Sequence, residues 1–342
     1  MTTATASRPI QSRATSAVAG LLRSREAGIF LALLIVLFVA TVKNSNFLFS
    51  HDGWRDLFLS PSILLLLAVG QAMVIITRNV DLSVGSILGL TAYLTGTLFR
   101  DTGIPTVAVV LIGIAFGLGL GFVNGALVAF GKVPALVITL GTLYVYRGIL
   151  LNWAGSNRIN SSNIPSAFLK FGTASFLTIP LLALVSFAVL AAVYNHMRNA
   201  KSGRELYAIG SDPAAARLYG LPVTTRVLMA FAVNGALAGL AGVLFVARYG
   251  TISSNAGLGI ELEAVGAAVI GGVAIFGGSG SVIGAAIGAY LLVTINRALP
   301  VVGIQDFWQR AVVGLLILGA IVLDKLLSER QLRKLLAERD AS

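Results

Sequence analysis

The chain has 342 residues, of which 56% are hydrophobic and only 11% are charged, compared with about 25% charged residues in an ordinary soluble domain. This composition excludes a soluble globular enzyme and a disordered chain, and it indicates a membrane protein that crosses the bilayer several times. The formal net charge is +11, which we assign to membrane edges facing an anionic leaflet rather than to nucleic-acid binding. The chain has no cysteine and only two histidines, which excludes disulfides and Cys-ligated zinc and argues against a His-rich metal site.

Ten apolar segments approach or reach the length that a bilayer-spanning helix needs. They do not alternate apolar and polar residues, as the strands of a membrane barrel would. The predicted fold class is therefore all-α, with about ten transmembrane helices, some of them broken or re-entrant because several segments are short or rich in glycine. The segments are Ala27–Val42, Ser62–Thr77, Leu82–Phe99, Thr106–Phe130, Pro134–Trp153, Phe176–Asn195, Leu228–Ala247, Gly259–Phe276, Ser281–Asn296 and Phe307–Leu327.

The distribution of Lys and Arg predicts the orientation of the chain. With ten spans and the N-terminus inside, the predicted cytoplasmic segments carry 16 of these residues and the outer segments carry 7. Positive charge favours the cytoplasmic side, so we expect both termini there. The chain then divides into a cytoplasmic tail (1–26), a transmembrane body (27–327) and a second cytoplasmic tail (328–342).

The sequence shows no energy source for active transport. Its nearest approach to a phosphate-binding loop, Gly125–Val133, has the wrong spacing and a valine in the hydroxyl position. The acidic residues that could couple protons or sodium, Asp81, Glu261 and Glu263, lie near predicted span ends. We therefore expect a transporter powered by a partner. A stand-alone carrier or channel is the alternative, and an intramembrane enzyme is disfavoured because its clustered acids or histidines are lacking.

The longest predicted cytoplasmic loop, residues 196–227, contains a short helix with clear boundaries. Asp212 suits the N-cap, Pro213 suits the first helical position, and Gly220 suits the left-handed residue that ends a helix. A helix of about seven residues is marginal in water, so it must pack against something. Leu218 and Tyr219 offer apolar surface, and the residues alone allow packing either on the chain's own loop ends or on a partner.

Four motifs, in order along the chain, resemble the permease subunits of sugar-importing ATP-binding-cassette (ABC) transporters. That family includes the ribose, xylose, rhamnose and autoinducer-2 permeases. The autoinducer-2 and rhamnose branches look most similar to this sequence. The resemblance covers roughly residues 60–325, with Asn79 where the family usually has glycine. The motifs are Asn79–Ser86, Thr139–Gly148, Tyr207–Gly210 with Ala215–Arg217 and Gly220, and Glu261–Ser281.

This resemblance implies an importer assembled from several chains in a bacterial inner membrane. The expected partners are a cytoplasmic ABC ATPase, an extracytoplasmic sugar-binding protein and a second permease, either a copy or a paralogue. The permease itself is expected to bind no cofactor, because the ATPase hydrolyses ATP, and to pass a monosaccharide or sugar-like molecule by alternating access. The resemblance assigns ATPase coupling to Gly203, Tyr207, Gly210, Asp212, Ala215, Ala216, Arg217 and Gly220.

Polar residues inside or between the predicted spans are candidates for the solute pathway. Asp81, in a break between two spans, is either a polar gate or the cap of the next helix. Asn124 and Asn234 either bond neighbouring helices or contact the sugar. Glu261 and Glu263, near an outer span end, either contact the binding protein, line the pore mouth, or are ordinary rim charges. The full candidate set is Asn79, Asp81, Ser83, Asn124, Thr139, Asn234, Glu261 and Glu263.

Two further features of the predicted spans bear on the pore. Arg147 is expected to be satisfied at the outer edge or to extend its charge to the interface, with a role inside the pore as the alternative. A cluster of glycines favours a broken helix on the pore side over simple close packing, since breaks are tolerated only where they are buried or line water. These glycines are Gly271, Gly272, Gly277, Gly278 and Gly280.

Overall fold

The computed structural model describes residues 25–131, 133–305 and scattered positions between 308 and 322. Most of the two predicted tails and much of the predicted span Phe307–Leu327 lie outside the described residues. The described elements are α1 (Arg25–Lys43), α2 (Asn46–Phe49), α3 (His51–Leu59), α4 (Ser62–Ile76), α5 (Val84–Asp101), α6 (Thr106–Gly131), α7 (Ala135–Ala154), a 3-10 turn (Ser161–Asn163), α8 (Ser166–Thr173), β1 (Ser175–Phe176), β2 (Ile179–Pro180), α9 (Leu181–Asn199), α10 (Lys201–Ser211), α11 (Pro213–Leu218), α12 (Val223–Tyr249), α13 (Ile260–Ile270) and α14 (Val282–Val301).

Seven helical segments of the described chain are long and apolar enough to cross a membrane, and each overlaps a predicted span. This confirms the prediction of an all-α, polytopic membrane protein. The segments are Glu26–Lys43, His51–Ile76 (α3 and α4 together), Thr106–Gly131, Ala135–Ala154, Leu181–Asn199, Val223–Tyr249 and Val282–Val301.

The predicted span Gly259–Phe276 has a different form in the structure. Its helix, α13, has only 11 residues, which corresponds to about 16 Å, half of the apolar thickness of a bilayer. A coil from Gly271 to Ser281 follows and leads into α14. The glycine-rich sequence therefore does break the helix, as expected.

The centre of the bundle is formed by α4 and α12. Every residue of α4 is buried, and α12 packs against α4, α5 and α6. The crossing of α6 and α12 is close because glycines face each other, and a Cβ on Gly121 would lie 2.7 Å from the Cα of Gly235. Small residues allow this backbone approach in membrane helices. The large apolar side chains of α1, α6 and α7, by contrast, include many that are exposed.

The loops gather at two ends of the bundle. We call the end that carries α10 and α11 the lower end, and the end that carries the β1–β2 hairpin the upper end. At the upper end, Ile159 and Ile252 form a β-bridge, and Arg248 donates to the carbonyl oxygen of Leu59 at 3.0 Å. Helix α1 begins at the lower end, where Glu26 lies beside the first turn of α14.

Candidate functional site

The segment between α4 and α5, residues 77–83, interrupts the helical structure inside the bundle, and Asp81 organises it. One carboxylate oxygen of Asp81 accepts hydrogen bonds from the backbone N–H of Ser83 at 2.9 Å and from its hydroxyl at 2.7 Å. The other oxygen accepts a hydrogen bond from the amide of Asn234 on α12, at 3.1 Å. The bond to the N–H two residues ahead forms a local turn of the kind that Asp favours, and it leads into α5.

Three more side chains complete the polar cluster around this break. Asn124 on α6 donates to the hydroxyl of Ser83 at 2.6 Å, and the hydroxyl of Tyr146 on α7 lies 3.1 Å from the side-chain oxygen of Asn124. The Gln71 amide, oriented to match its neighbours, accepts the backbone N–H of Asp81 at 3.0 Å and donates to its carbonyl oxygen at 3.2 Å. We call this cluster the break network. It consists of Gln71, Asp81, Ser83, Asn124, Tyr146 and Asn234.

The break network is shut off from solvent in this conformation. All of its members are buried, as is Thr139, whose hydroxyl donates to the carbonyl oxygen of Val80 at 3.1 Å. Polar groups inside a membrane protein are costly unless they are paired. Here they pair with one another, except that the side-chain oxygen of Asn234 has no hydrogen-bond partner among the described residues. Five candidate pathway residues are thus brought together, while Asn79 is half-buried and its amide donates to the Thr77 carbonyl oxygen at 2.9 Å.

Sequence reasoning missed Gln71 and Tyr146 as members of this cluster. The signal for Gln71 was present, because it is a lone amide in the middle of the apolar stretch that forms α4. Tyr146 stands between apolar and polar residues on α7 and gave no such signal.

Glu261 and Glu263 lie in the first turn of α13. A Cβ on Gly85 would overlap the carboxylate of Glu261. Gly85 is in the first turn of α5, and Asp101 at the other end of that helix is about 24 Å away. α13 therefore begins within the bundle, because the preceding coil runs down alongside α5, where Gly89 faces Ala256. That its first turn faces the outer side stays a prediction.

Arg147 is buried in the bundle next to this coil. Its guanidinium donates to the carbonyl oxygens of Ala256 at 2.7 Å and Ser254 at 3.3 Å. One terminal nitrogen of the guanidinium is thus bonded to backbone carbonyls inside the bundle, while its buried Nε has no hydrogen-bond partner among the described residues.

The start of α13 places two acidic side chains inside the bundle. Two carboxylates stand at a helix N-terminus, where the helix dipole favours negative charge. Among the described residues, one oxygen of the half-buried Glu261 has no hydrogen-bond partner. Helices that begin within the membrane are where many transporters place their solute and ion sites.

The short helix predicted in the 196–227 loop is confirmed as α11, Pro213–Leu218. The Asp212 carboxylate accepts hydrogen bonds from the backbone N–H groups of Ala214 at 2.9 Å and Ala215 at 3.0 Å. These two bonds lower the pKa of Asp212 below its ordinary value. Gly220 has a φ of +75°, the left-handed conformation expected after the helix.

Helix α10, which precedes α11, was not predicted as a helix. It buries Leu206 and Ile209, and the buried Glu205 forms an ion pair with Arg226 at the start of α12. Gly203 allows it to turn tightly out of α9, because a Cβ there would lie 2.6 Å from the Cα of Met197. α10 is therefore fixed to the bundle by several independent contacts.

Helix α11 buries Ala216 and leaves the large apolar side chains at its C-terminal end exposed. Ala216 is 4% exposed, whereas Leu218 and Tyr219 are each 88% exposed. Ala215 is half-buried and Arg217 is exposed. We call the Leu218–Tyr219 pair the docking patch.

Comparison with known families decides the class of the protein. A family model described as "Branched-chain amino acid transport system / permease component" matches residues 55–321. The chain belongs to this permease family. The resemblance to ABC permeases is confirmed, since the match spans all four motifs. The permease is a membrane subunit of an ABC importer and is not an enzyme, and ATP is handled by a partner ATPase.

Several relatives of the permease share most of its length. The autoinducer 2 import system permease protein LsrC of Enterobacter sp. (strain 638) is 38% identical, covering 89% of this chain and 88% of its own. The protein of the same name from Salmonella paratyphi B is 37% identical over 88% of this chain and 86% of its own. That from Yersinia pseudotuberculosis is 35% identical over 88% and 85%. No solved structure matches the chain.

Proposed function

We propose that this permease imports autoinducer-2 or a similar sugar-like molecule, such as rhamnose, ribose or xylose, across a bacterial inner membrane. The pore is formed with a second permease, a copy or a paralogue, and opens alternately to each side. A separate ATPase drives the change by docking on α10 and α11, and an extracytoplasmic binding protein delivers the solute. The single observation that carries this proposal is the docking patch on a capped helix at the lower end.

Two properties of the docking patch favour an ATPase partner: its side chains are exposed, and the helix that carries it is held in place. An isolated six-residue helix is unstable in water, so the Asp212 cap and the burial of Ala216 keep α11 in place. Two large apolar side chains are nevertheless left facing away from the bundle. Exposed apolar surface at the polar end of a membrane protein is characteristic of a protein interface.

The orientation follows from the charges near the lower end. Helix α1 begins at this end, and the sequence before it carries Arg8, Arg13 and Arg23. The two helices α10 and α11, which we call the coupling segment, add Lys201, Arg204 and Arg217. Positive charge favours the cytoplasm, so we assign the lower end and both tails, 1–26 and 328–342, to the cytoplasmic side.

The solute class follows from the polar groups of the membrane body and from the relatives. The residues of the break network are amides, hydroxyls and one carboxylate, and they hold the break in place in this conformation. The partly exposed candidates, Asn79, Glu261 and Glu263, are the groups that we assign to the pathway. Carboxylate and amide groups suit a neutral solute rich in hydroxyls, and the named relatives import autoinducer-2. The exposed glycines of α7, Gly141 and Gly148, leave room for the second permease.

ATPase docking is tested by measuring the affinity of the ATPase for the permease in nanodiscs. The double variant Leu218→Ser with Tyr219→Ser should weaken binding by about tenfold or more, because two apolar anchors are lost. The matched control is Leu177→Ser in the β1–β2 turn, whose side chain is 79% exposed at the upper end, and it should bind normally. Equal affinity of the double variant and the control contradicts the assigned docking site.

Transport is tested by uptake in cells that lack their own importers for these solutes. The full importer should accumulate labelled autoinducer-2 or one of the three sugars, and an ATPase that binds but does not hydrolyse ATP should abolish accumulation. Labelled leucine serves as the control solute, given the family description. Uptake by the permease alone in vesicles would instead establish a stand-alone carrier.

A further inference from the structure

The membrane helices are interrupted at residues 77–83, the first break, and at residues 271–281, the second break. The C-terminal end of α10 meets both breaks at one point. The Arg78 guanidinium, in the first break, donates to the carbonyl oxygens of Gly210 and Ser211. The N–H of Gly278, in the coil after α13, donates to the carbonyl oxygen of Ile76 at 2.9 Å. The hydroxyl of Tyr207 donates to the carbonyl oxygen of Gly280 at 3.1 Å. α10 is thus bonded to both breaks, and the second break is bonded to the last residue of α4, next to the first break.

The three segments touch backbone to backbone. A Cβ on Gly210 would overlap the carbonyl oxygen of Ile76 and lie 2.5 Å from the nitrogen of Gly278. A Cβ on Gly278 would lie 2.7 Å from the Cα of Ser211. With no side chain between these backbones, a displacement of α10 is passed on directly rather than absorbed by side-chain rotation.

Arg78 is suited to hold this junction. Gly210 and Ser211 are the last two residues of α10, and the final carbonyls of a helix lack partners within the helix. A planar guanidinium can donate to two such oxygens at once, which an ammonium group does less well. Arg78 also has a φ of +64°, a left-handed conformation that is uncommon for a non-glycine residue and persists where the surroundings fix it.

The contact through Arg78 is the direct path from the coupling segment to the first break. A cavity of about 260 Å³ is lined by Pro213 and Arg217 on α11, by Thr77 and Asn79 in the break, and by Arg78 itself. A push on α11 reaches the break through the end of α10, where Arg78 is bonded.

We propose that Arg78 is a positioning residue that makes α10 and the two membrane breaks move as one body when the ATPase changes state. This inference rests on the proposed function, since it requires the ATPase to dock on α10 and α11. It assigns to Arg78 the coupling of ATP hydrolysis to transport rather than a contact with the solute.

The test uses spin-label pairs in the assembled importer, and its distance measurements need no solute. The chain has no cysteine, so introduced cysteines are the sole labelling sites on the permease. One pair joins Ala208 on α10 to Phe276 in the second break, and a reference pair joins Ala208 to Leu177 at the upper end. Distances are measured by EPR in the nucleotide-free state and after trapping the ATPase with vanadate.

In the wild-type background the reference distance should change on trapping, while the 208–276 distance stays constant. Arg78→Ala should bind the ATPase with an affinity within about twofold of wild type, yet its 208–276 distance should change or broaden on trapping. Hydrolysis should continue while solute moved per ATP falls by about tenfold. Arg78→Lys should show an intermediate effect, and Tyr207→Phe, which removes one hydroxyl, should show a smaller one. Arg100→Ala, at the upper end, is the matched control and should behave as wild type.

The results separate the two proposals. A wild-type reference distance that does not change on trapping means that the ATPase does not act through this segment, and the proposed function fails. The role of Arg78 alone is overturned if the reference distance changes but the 208–276 distance behaves in the same way in wild type and in all three variants. These variants are Arg78→Ala, Arg78→Lys and Tyr207→Phe. Loss of ATPase binding in Arg78→Lys also overturns it, because Arg78 would then shape the docking surface.

Discussion

The two interruptions of the membrane helices are closed in different ways. The first, residues 77–83, is closed by side chains: Asp81 accepts hydrogen bonds from Ser83 and Asn234, and Gln71 bonds the Asp81 backbone. The second, residues 271–281, is closed largely by backbone contact. The N–H of Ala274 donates to the carbonyl oxygen of Ser279 at 3.1 Å, and a Cβ on Gly271 would lie 2.5 Å from the carbonyl carbon of Gly284.

This difference shows which break depends on side-chain hydrogen bonds and which depends on glycine contacts. Exposed backbone groups are not tolerated in the apolar part of a membrane, so both breaks must satisfy theirs. The first break bonds to side chains of α4, α6 and α12, and a shift there would strip several buried polar groups of their partners. The second break depends on glycine contacts with α10 and α14. We therefore expect substitutions in the first break to cost more stability than substitutions in the second break outside its glycines.

The largest effect is expected where both breaks meet α10. Gly210→Ala places a methyl group against the carbonyl oxygen of Ile76 and near the nitrogen of Gly278. These backbone atoms can make room only if α10 moves away from both breaks. We expect transport to fall by more than tenfold, together with a lower melting temperature of the purified permease. Solute uptake and thermal unfolding in detergent measure the two effects.

Gly119→Ala is the matched control for this substitution. Gly119 lies within α6, and a Cβ there would have no neighbour within 4 Å. Alanine is favoured over glycine inside a helix by up to about 1 kcal/mol, so this variant should be as stable as wild type or more so. Wild-type uptake by Gly210→Ala would show that the junction is looser than its contacts indicate.

The next largest effect is expected in the first break. Asp81→Ala leaves the N–H of Ser83 and the amide of Asn234 without their buried acceptor, and each orphaned buried group costs about 1–3 kcal/mol. Asp81→Ala should lower the melting temperature more than any single substitution of a non-glycine residue in the second break does. Asp52→Ala, an exposed acid at the upper end, is the control and should be nearly neutral.

Asp81→Asn tests whether the charge or the shape of this residue matters. An amide keeps one acceptor for Ser83 but turns an N–H₂ group toward the amide of Asn234, which can rotate to present its oxygen. That oxygen has no hydrogen-bond partner at present, so we expect Asp81→Asn to recover most of the stability lost in Asp81→Ala. A variant with Asn as unstable as that with Ala would show that the negative charge itself is required.

Local rules predicted the features that local chemistry determines. The cap at Asp212, the proline that follows it and the left-handed Gly220 predicted α11 to within a residue or two, because each acts on the next few backbone groups. The turn at Asp81 follows from the same chemistry. The apolar stretches likewise predicted seven spanning segments.

Features that depend on distant contacts were beyond such rules. Gly203 and Gly210 lower the helix propensity of α10. The helix forms nevertheless, because Glu205 pairs with Arg226. The two glycines are needed because another backbone lies too close to each of them for a side chain. The depth of Glu261 in the bundle depends on the coil before α13, which runs alongside α5. The hydropathy of the sequence does not show the path of this coil. Arg78 was counted as a loop charge, since its role requires both a left-handed backbone and the end of α10 beside it.

The smallest effect is expected at the one side-chain cap of the second break. The Ser281 hydroxyl accepts hydrogen bonds from the N–H groups of Ile283 at 3.2 Å and Gly284 at 3.3 Å, at the start of α14. Loss of such a cap costs about 1 kcal/mol of unfolding free energy, so Ser281→Ala should lower the melting temperature slightly while leaving uptake within twofold of wild type. Ser45→Ala, at a helix start where the side chain makes no capping bond, should change neither. A loss from Ser281→Ala as large as that from Asp81→Ala would mean that side chains close both breaks, and the second break would then be anchored as firmly as the first.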